Sequence, residues 1–251
     1  MSNYSIIFSP TGGTRNVANL LLKAMGGEYS EIDLCAPAEA YALSAGDVCL
    51  VSVPSFGGRV PALAIERIKA ISGNGAKAVL NCVYGNRAWE DTLTEMQDAV
   101  EARGLRCVAA VAAVAEHSLF RRYAAGRPDA DDAAVLTDFA AKIRAKLDRG
   151  DFSVPALEGA HGTYKAFGGV PFKPQGSDLC KSCGLCATKC PAGAIAPETP
   201  HVTDESKCIS CMRCVAICPN HARDLDASVM DAAAEARAAI LGGRKENHLY
   251  L

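Results

Sequence analysis

The stretches CKSCGLCATKCP, residues 180–191, and CISCMRCVAICP, residues 208–219, carry one spacing twice: C-x2-C-x2-C-x3-C-P. Eight of the chain's twelve cysteines fall within them, Cys180, Cys183, Cys186 and Cys190 before Pro191, and Cys208, Cys211, Cys214 and Cys218 before Pro219. Three cysteines at steps of three lie on one tight backbone winding, so their thiols converge on three corners of a single metal cluster, and the fourth corner needs a sulfur from elsewhere. Structural zinc is the plain alternative, because clustered cysteines with two-residue gaps also bind that ion. Zinc takes cysteines in pairs, however, and leaves the middle thiol of each triplet and the doubled Cys-Pro without explanation. A disulfide framework is disfavoured, since nothing in the sequence marks export.

Outside these runs the chain reads as an ordinary globular protein. Its 251 residues suffice for one medium domain and a small one, 49% are hydrophobic, and the net charge is −2. No basic excess points to nucleic acid or to an anionic membrane surface. Tyr4 to Phe8 already read as a strand, which argues against a signal peptide, and the longest apolar runs, such as Cys107 to Ala115, are too short to span a bilayer. A cytoplasmic location is expected, with oxygen sensitivity and hence an anaerobic host. The remaining cysteines, Cys35, Cys49, Cys82 and Cys107, lie in or beside apolar strands and read as small buried hydrophobes. Cys82 differs in standing at the end of a strand, where a ligand edge would be within reach.

Residues 1–150 alternate apolar runs with amphipathic stretches. Strands are predicted at Tyr4 to Phe8, Glu28 to Leu34, Asp47 to Val53, Ala76 to Val83 and Leu105 to Val114, with helices at Thr14 to Met25, Val60 to Ile71, Asp91 to Arg103 and Asp131 to Arg149. Repeated β-α alternation predicts an α/β fold, a doubly wound five-stranded parallel sheet covered on both faces. The order 2-1-3-4-5 suits five strands, with a ligand crevice at their carboxyl ends. Residues 151–177 are rich in Gly, Pro and aromatics without periodicity and read as a linker packed along its neighbours, since Phe152, Tyr164, Phe167 and Phe172 are costly in open solvent. Residues 178–222 form the cysteine domain, and residues 223–251 a closing helix, Asp226 to Leu241, with a tail.

The first strand is followed by SPTGGT, Ser9 to Thr14, which opens the first helix. Its hydroxyls and its close backbone amides at a positive helix end suit a phosphate. No lysine follows the glycines as in a Walker loop, and no G-x-G-x-x-G occurs, so the phosphate of FMN is favoured over ATP or a nicotinamide dinucleotide.

Ser9, Thr11, Gly12 and Thr14 resemble the T/S-x-T-G-x-T phosphate loop of flavodoxins, with Gly13 where many members carry Asn. The cysteine runs resemble those of bacterial two-cluster ferredoxins. Together with the YGNR segment at Tyr84 to Arg87 and the EHS segment at Glu116 to Ser118, the chain resembles the flavodoxin-ferredoxin fusion family of anaerobic microbes. The ferredoxin resemblance implies two [4Fe-4S] clusters in which the fourth cysteine of each run serves the other cluster: Cys180, Cys183, Cys186 and Cys218 for the first, Cys208, Cys211, Cys214 and Cys190 for the second. The flavodoxin resemblance implies FMN held by three loops. Pro54, Ser55, Phe56, Gly57 and Gly58 supply one aromatic face and a flexible peptide beside flavin N5. Tyr84, Gly85 and Asn86 meet the pyrimidine edge, and Trp89 supplies the second aromatic face. Arg87 in this loop departs from ordinary flavodoxins, and a guanidinium there is expected to stabilise the reduced anion and raise its potential. His117 is the candidate group for protonating or hydrogen-bonding the flavin.

The implied activity is electron transfer between FMN and the clusters, to or from a redox partner protein or a small acceptor. An FMN-dependent reductase of a quinone or electrophile, fed by its own clusters, is the main alternative. A redox sensor or assembly factor is the second.

Overall fold

The computed structural model describes residues 2–251. From the N-terminus the elements are β1 (Asn3–Ile7), α1 (Gly13–Met25), β2 (Ser30–Asp33), β3 (Tyr41–Ala42), β4 (Val48–Pro54), α2 (Ala62–Ile68), β5 (Ile71–Ser72), β6 (Lys77–Tyr84), α3 (Thr92–Glu101), β7 (Arg106–Val114) and α4 (Ala130–Asp148). There follow β8 (Gln175–Gly176), α5 (Leu185–Thr188), α6 (Arg213–Ala216), β9 (Arg223–Asp224), α7 (Ala227–Glu235), α8 (Ala238–Leu241) and β10 (His248–Tyr250). Among the described residues, no helix is long and apolar enough to cross a membrane.

Five strands run parallel in the order β2-β1-β4-β6-β7, which is the 2-1-3-4-5 plan of a flavodoxin-like sheet. The near-continuous apolar runs of β4, β6 and β7 follow from burial on both faces. Successive side chains part to opposite faces: Ile6, Phe8, Val51 and Val53 share one core with Leu93 and Met96 of α3, while Ile7, Leu50 and Val79 share the other with α1 and α4. On that second face Val17 and Leu21 of α1, one helical turn apart, join a cluster with Leu136, Ala140 and Ile143 of α4.

The helix predicted to Ile71 ends at Ile68, with Ile71 in β5, and two larger departures from the sequence reading lie after residue 225. The sheet has six strands, because β10 pairs antiparallel with β7, placing Leu249 opposite Val111. Without it β7 would be an exposed edge with a row of unpaired backbone groups. A strand of three residues, more than a hundred positions from its partner, leaves no periodicity to detect. The closing helix is also broken: α7 ends before Ala236 and Arg237, and α8 restarts at Ala238. The break lets Ala234 and Leu241 pack with Phe120 from the loop after β7.

The linker, largely exposed, is tied to the sheet domain at several points. Phe152 O accepts from Arg106 Nε at 2.7 Å, Gly162 N donates to Asp98 of α3 at 2.9 Å, and Lys165 N donates to Asp91 at 2.7 Å. Arg67 of α2 fastens the cysteine domain to the sheet domain. Its buried guanidinium donates to Leu34 O in the loop after β2 and to Pro191 O, the latter at 2.7 Å.

The tail is tied down with equal care. Arg127 and Asp132 form an ion pair with side chains 5% and 1% exposed. Arg127 also donates to Lys245 O at 2.7 Å, and Asn247 Nδ2 donates to Asp132 at 2.8 Å. Asp132 closes the capping box of α4 with Asp129 as well, so one carboxylate serves a helix end, a buried cation and the C-terminal tail.

Candidate functional site

The carboxyl ends of β1, β4, β6 and β7 meet at one edge, and two adjoining cavities open there. The larger, about 760 Å³, is lined by Thr11 and Gly13 of the first loop, by Ser118 and Arg121 after β7, and by Met212 and Val215 of the cysteine domain. The smaller, about 220 Å³, shares Ser118 and lies between Phe56, Gly85, Arg87, His117 and the linker.

At the first loop the backbone leaves open space in front of a helix end. Gly12 has φ +95°, a conformation that an L side chain rarely adopts, and a Cβ there would meet nothing within 4 Å. Gly12 caps α1 without a side-chain bond, and the first turn holds no acidic residue, so the positive helix end stays available. Ser9 and Thr14 are buried beneath the loop, Ser9 Oγ accepting from Arg15 N at 3.0 Å, while Thr11 is exposed at the cavity.

The second loop follows Pro54, the last residue of β4. It turns tightly, with Phe56 and Arg59 exchanging backbone hydrogen bonds and Gly57 and Gly58 both at positive φ, the dihedral demand of a type I′ turn. Ser55 Oγ meets Thr92 Oγ1 at 2.8 Å and holds the loop to α3. A Cβ on Gly58 would lie 1.8 Å from Glu90 Oε2, and one on Gly57 would lie 2.3 Å from the Phe167 ring. The second aromatic at this loop is therefore Phe167 of the linker.

The expected partner, Trp89, stands elsewhere. Its ring packs 5.1 Å from Tyr84 and 4.9 Å from His248, against the strand that the sequence reading lacked. Tyr84 is likewise committed, its hydroxyl donating to Glu246 O at 2.7 Å. Asn86, at φ +62°, donates through Nδ2 to Leu241 O and Gly243 O, so its side chain anchors the C-terminal segment while its Oδ1 stays buried without a partner. Cys82 is fully buried in the sheet, and burial raises its thiol pKa far above the ordinary value, which takes it out of contention as a ring contact. Cys35, Cys49 and Cys107 are buried too.

Arg87 lines the smaller cavity, yet its charge is shared. It forms an ion pair with Glu90, 2.6 Å from Nη2 to Oε2, and Glu90 also meets Lys165. These bonds, Arg87 first, hold the Glu90 carboxyl down at about 2. The anion-stabilising effect expected of Arg87 is correspondingly reduced. A second guanidinium at the cavity, Arg237 of the closing segment, sits over the Phe120 ring at 5.5 Å. It lies some 120 positions from His117, its neighbour at the cavity, so no local pattern in the sequence marks it.

His117 stands against Gly85, where an added Cβ would come 2.8 Å from the imidazole. Its Nδ1 accepts from the amides of Leu119 and Phe120, each at 3.2 Å, so the proton of the neutral ring is on Nε2. Burial, with Arg87 and Arg237 adding to it, lowers the pKa to about 4. An unfolded histidine titrates near 6.5, so the unfolded chain binds the proton first as the pH falls. The stability from keeping this ring neutral is complete above about pH 6.5 and is lost on descent to about pH 4. Between pH 7 and pH 5 the wild type is expected to lose about 2 kcal/mol more than His117→Gln in urea unfolding. Parallel pH curves for the two proteins would place the ring in water.

In the cysteine domain the duplication shows in the backbone. Ser182 and Ser210 have φ +53° and +55°, Gly184 and Met212 have +71° and +59°, and Gly193 and His221 have +60° and +48°. Amides point at the thiols in parallel fashion, Ala194 N to Cys190 Sγ and Ala222 N to Cys218 Sγ, each at 3.3 Å. Cys190 of the first run lines one cavity with Cys208, Cys211 and Cys214 of the second. Burial pushes the Cys211 thiol up to about 12. Of the other set, Cys186 is buried and Cys183 is exposed. All twelve cysteines are free of disulfides.

No curated protein matches the chain. Among solved structures it is similar to a flavodoxin of Streptococcus pneumoniae TIGR4 (15% identity, 58% of this chain and 99% of that one, TM-score 0.42). It is also similar to oxidised flavodoxin 1 of Bacillus cereus (14%, 57% and 97%, TM-score 0.40). A third is an NAD(P)H:quinone oxidoreductase from Methanothermobacter marburgensis (14%, 64% and 99%, TM-score 0.38). Residues 179–223 match the 4Fe-4S dicluster domain family, and with its eight cysteines this part of the chain is a carrier of two [4Fe-4S] clusters.

Proposed function

We propose that FMN occupies the crevice at the carboxyl ends of the strands and exchanges electrons with an external redox partner through the two clusters. The observation that carries this reading is the position of Cys211: the residues on either side of it, Ser210 and Met212, line the smaller and the larger cavity respectively. The second run thus adjoins the crevice through Ser210 and Met212, whereas Cys183 of the first run is exposed to the surroundings. Electrons would pass from the crevice to the cluster of Cys208, Cys211, Cys214 and Cys190, then to that of Cys180, Cys183, Cys186 and Cys218, and outward.

FMN, when bound, supplies the exchange between paired and single electrons. The chain supplies the rest. The open helix end at Gly12 and Gly13 receives a phosphate, and Thr11 offers a hydroxyl beside it. Phe56 and Phe167 present aromatic surface, and Phe120 and Phe172 keep water from the inner wall. The Nε2–H of His117 is a fixed donor at the cavity, and Arg87 and Arg237 favour an anion there.

Anaerobic purification followed by absorption, flavin and iron analysis tests the proposal. About one flavin and about eight irons per chain are expected; a flavin-free protein with full iron would remove the crevice from the electron path. His117 also keeps open a reductase acting on a quinone or electrophile, since a buried donor beside a flavin is what such a substrate needs. Turnover of a quinone with reduced viologen by wild type but not by His117→Gln would favour that second reading.

A further inference from the structure

The structure extends the cysteine domain past the predicted boundary at 222, since β9 (Arg223–Asp224) pairs with β8, and the most deeply buried cation there is Arg223, whose residue is 2% exposed. Its guanidinium donates to Pro200 O, to Thr203 Oγ1 and, at 3.0 Å, to Pro174 O, while Nε–H is buried with no partner. Every acceptor is neutral. Among the described residues no carboxylate pairs with it, in contrast to Arg127, which is buried against Asp132. Removing a full positive charge from water costs several kcal/mol unless an anion answers it. A buried guanidinium held only by carbonyls and a hydroxyl therefore points to negative charge supplied by something other than a side-chain carboxylate.

The surroundings name that charge. Pro200 O, which accepts from Arg223, lies 3.4 Å from Cys186 Sγ. Ala222, its neighbour in the chain, donates to Cys218 Sγ. The strand that holds Arg223, β9, also packs against α6, the helix that carries Cys214. Cys186 and Cys218 belong to the first ligand set and Cys214 to the second. A [4Fe-4S] cluster with four thiolates is anionic and gains a further negative charge on reduction.

Nor does packing require arginine at this position. The two runs repeat at an offset of 28 residues, as Cys190 and Cys218 or Ala194 and Ala222 show, and the counterpart of Arg223 is Ile195. Ile195 is buried at 5% exposure and carries no charge. One half of the duplicated domain thus fills its site with a hydrocarbon, and the other fills it with a cation set near ligands of both clusters.

We propose that Arg223 is the shared counter-charge of the two clusters, a positioning residue whose buried guanidinium raises the reduction potential of both. The proposal rests on the presence of two clusters on the eight cysteines, and iron analysis with the electron paramagnetic resonance of the reduced wild type tests that presence independently of any variant. Because reduction adds negative charge, a nearby cation stabilises the reduced form more than the oxidised one.

The test is a potentiometric titration of the anaerobic full-length protein, with resonance signals resolving the two clusters, for wild type, Arg223→Met and Arg223→Lys. Arg223→Met is expected to keep its iron and to lower both midpoints, by about tenfold or more in each reduction equilibrium, which is 59 mV for a one-electron couple. Arg223→Lys is expected to recover much of the shift. Unchanged midpoints in an iron-replete Arg223→Met protein would overturn the proposal, and a shift at one cluster alone would overturn the sharing. If Arg223→Met loses iron while Arg223→Lys retains it, the charge is needed for assembly and the counter-charge role stands. Loss of iron from both would assign Arg223 to its carbonyl contacts and overturn the role.

Discussion

Replacing Cys190 by alanine is expected to damage the cluster of the other run. In the structure its thiol lines the cavity of Cys208, Cys211 and Cys214, although Cys190 follows Cys180, Cys183 and Cys186 in the chain. A cluster deprived of one thiolate loses an iron or falls apart, so the iron content of Cys190→Ala should drop from about eight toward about four per chain. The resonance spectrum of what survives distinguishes the two connectivities. Cys190→Ala should resemble Cys211→Ala, with the first-run cluster intact, and should differ from Cys183→Ala. A spectrum matching Cys183→Ala would mean that each run closes on itself. Under the exchanged connectivity Cys190 and Cys218 also cross-link the halves of the domain through metal, so that Cys190→Ala should unfold at lower denaturant as well.

The second large effect is expected from Asp132→Ala. This carboxylate is pulled two ways, burial raising its pKa, and Arg127, the Asp129 amide and Asn247 together lowering it below the ordinary value. Its removal leaves the Arg127 guanidinium buried without a counter-ion, opens the capping box of α4, and frees Asn247 from one of its partners. Breaking a buried ion pair on one side costs about 3–5 kcal/mol. Against a total stability of about 5–15 kcal/mol, that is a large fraction. Urea unfolding of Asp132→Ala should show it as a lower midpoint, and a change within about 0.5 kcal/mol would make the pair inconsequential. Because the pKa is lowered by folding, the stabilisation is present above the unfolded carboxyl value and is lost as the pH falls through the folded one. Acidification below about pH 4 should therefore narrow the gap between variant and wild type.

What could be read in the sequence followed the range of each signal. The cysteine runs are local, so their spacing is visible without a fold. The parallel strands announce themselves by apolar runs such as Val48–Pro54 and Lys77–Tyr84, which burial on both faces demands. The loop at Ser9 to Thr14 is also local, since the phosphate-like cradle depends on the dihedrals of Gly12 and the helix that follows.

The crevice walls were harder. Trp89 lies in the right loop, but its direction is set by His248, a residue more than 150 positions later. Phe167, Phe172 and Arg237 reach the cavity only because the linker and the segment after the cysteine domain fold back over it. Nothing in their neighbours along the chain encodes that return. The same holds for Asn86, whose side chain is consumed by Leu241 and Gly243. Local pattern reports what an element is, and long-range hydrogen bonds decide what its loops face.

The pairing of β10 with β7 gives the molecule a property that a tandem arrangement lacks. The polypeptide leaves the sheet after α4, builds the iron-sulfur module, and comes back to finish the sheet with its last residues. The module is accordingly an insertion suspended at two points, with Arg67 as a third fastening, and not a pendant on a tether. Cutting the chain after α4 would deprive the sheet domain of its own border. For the electron path proposed above, a module fastened in this way predicts a rate between clusters and crevice that is indifferent to solvent viscosity.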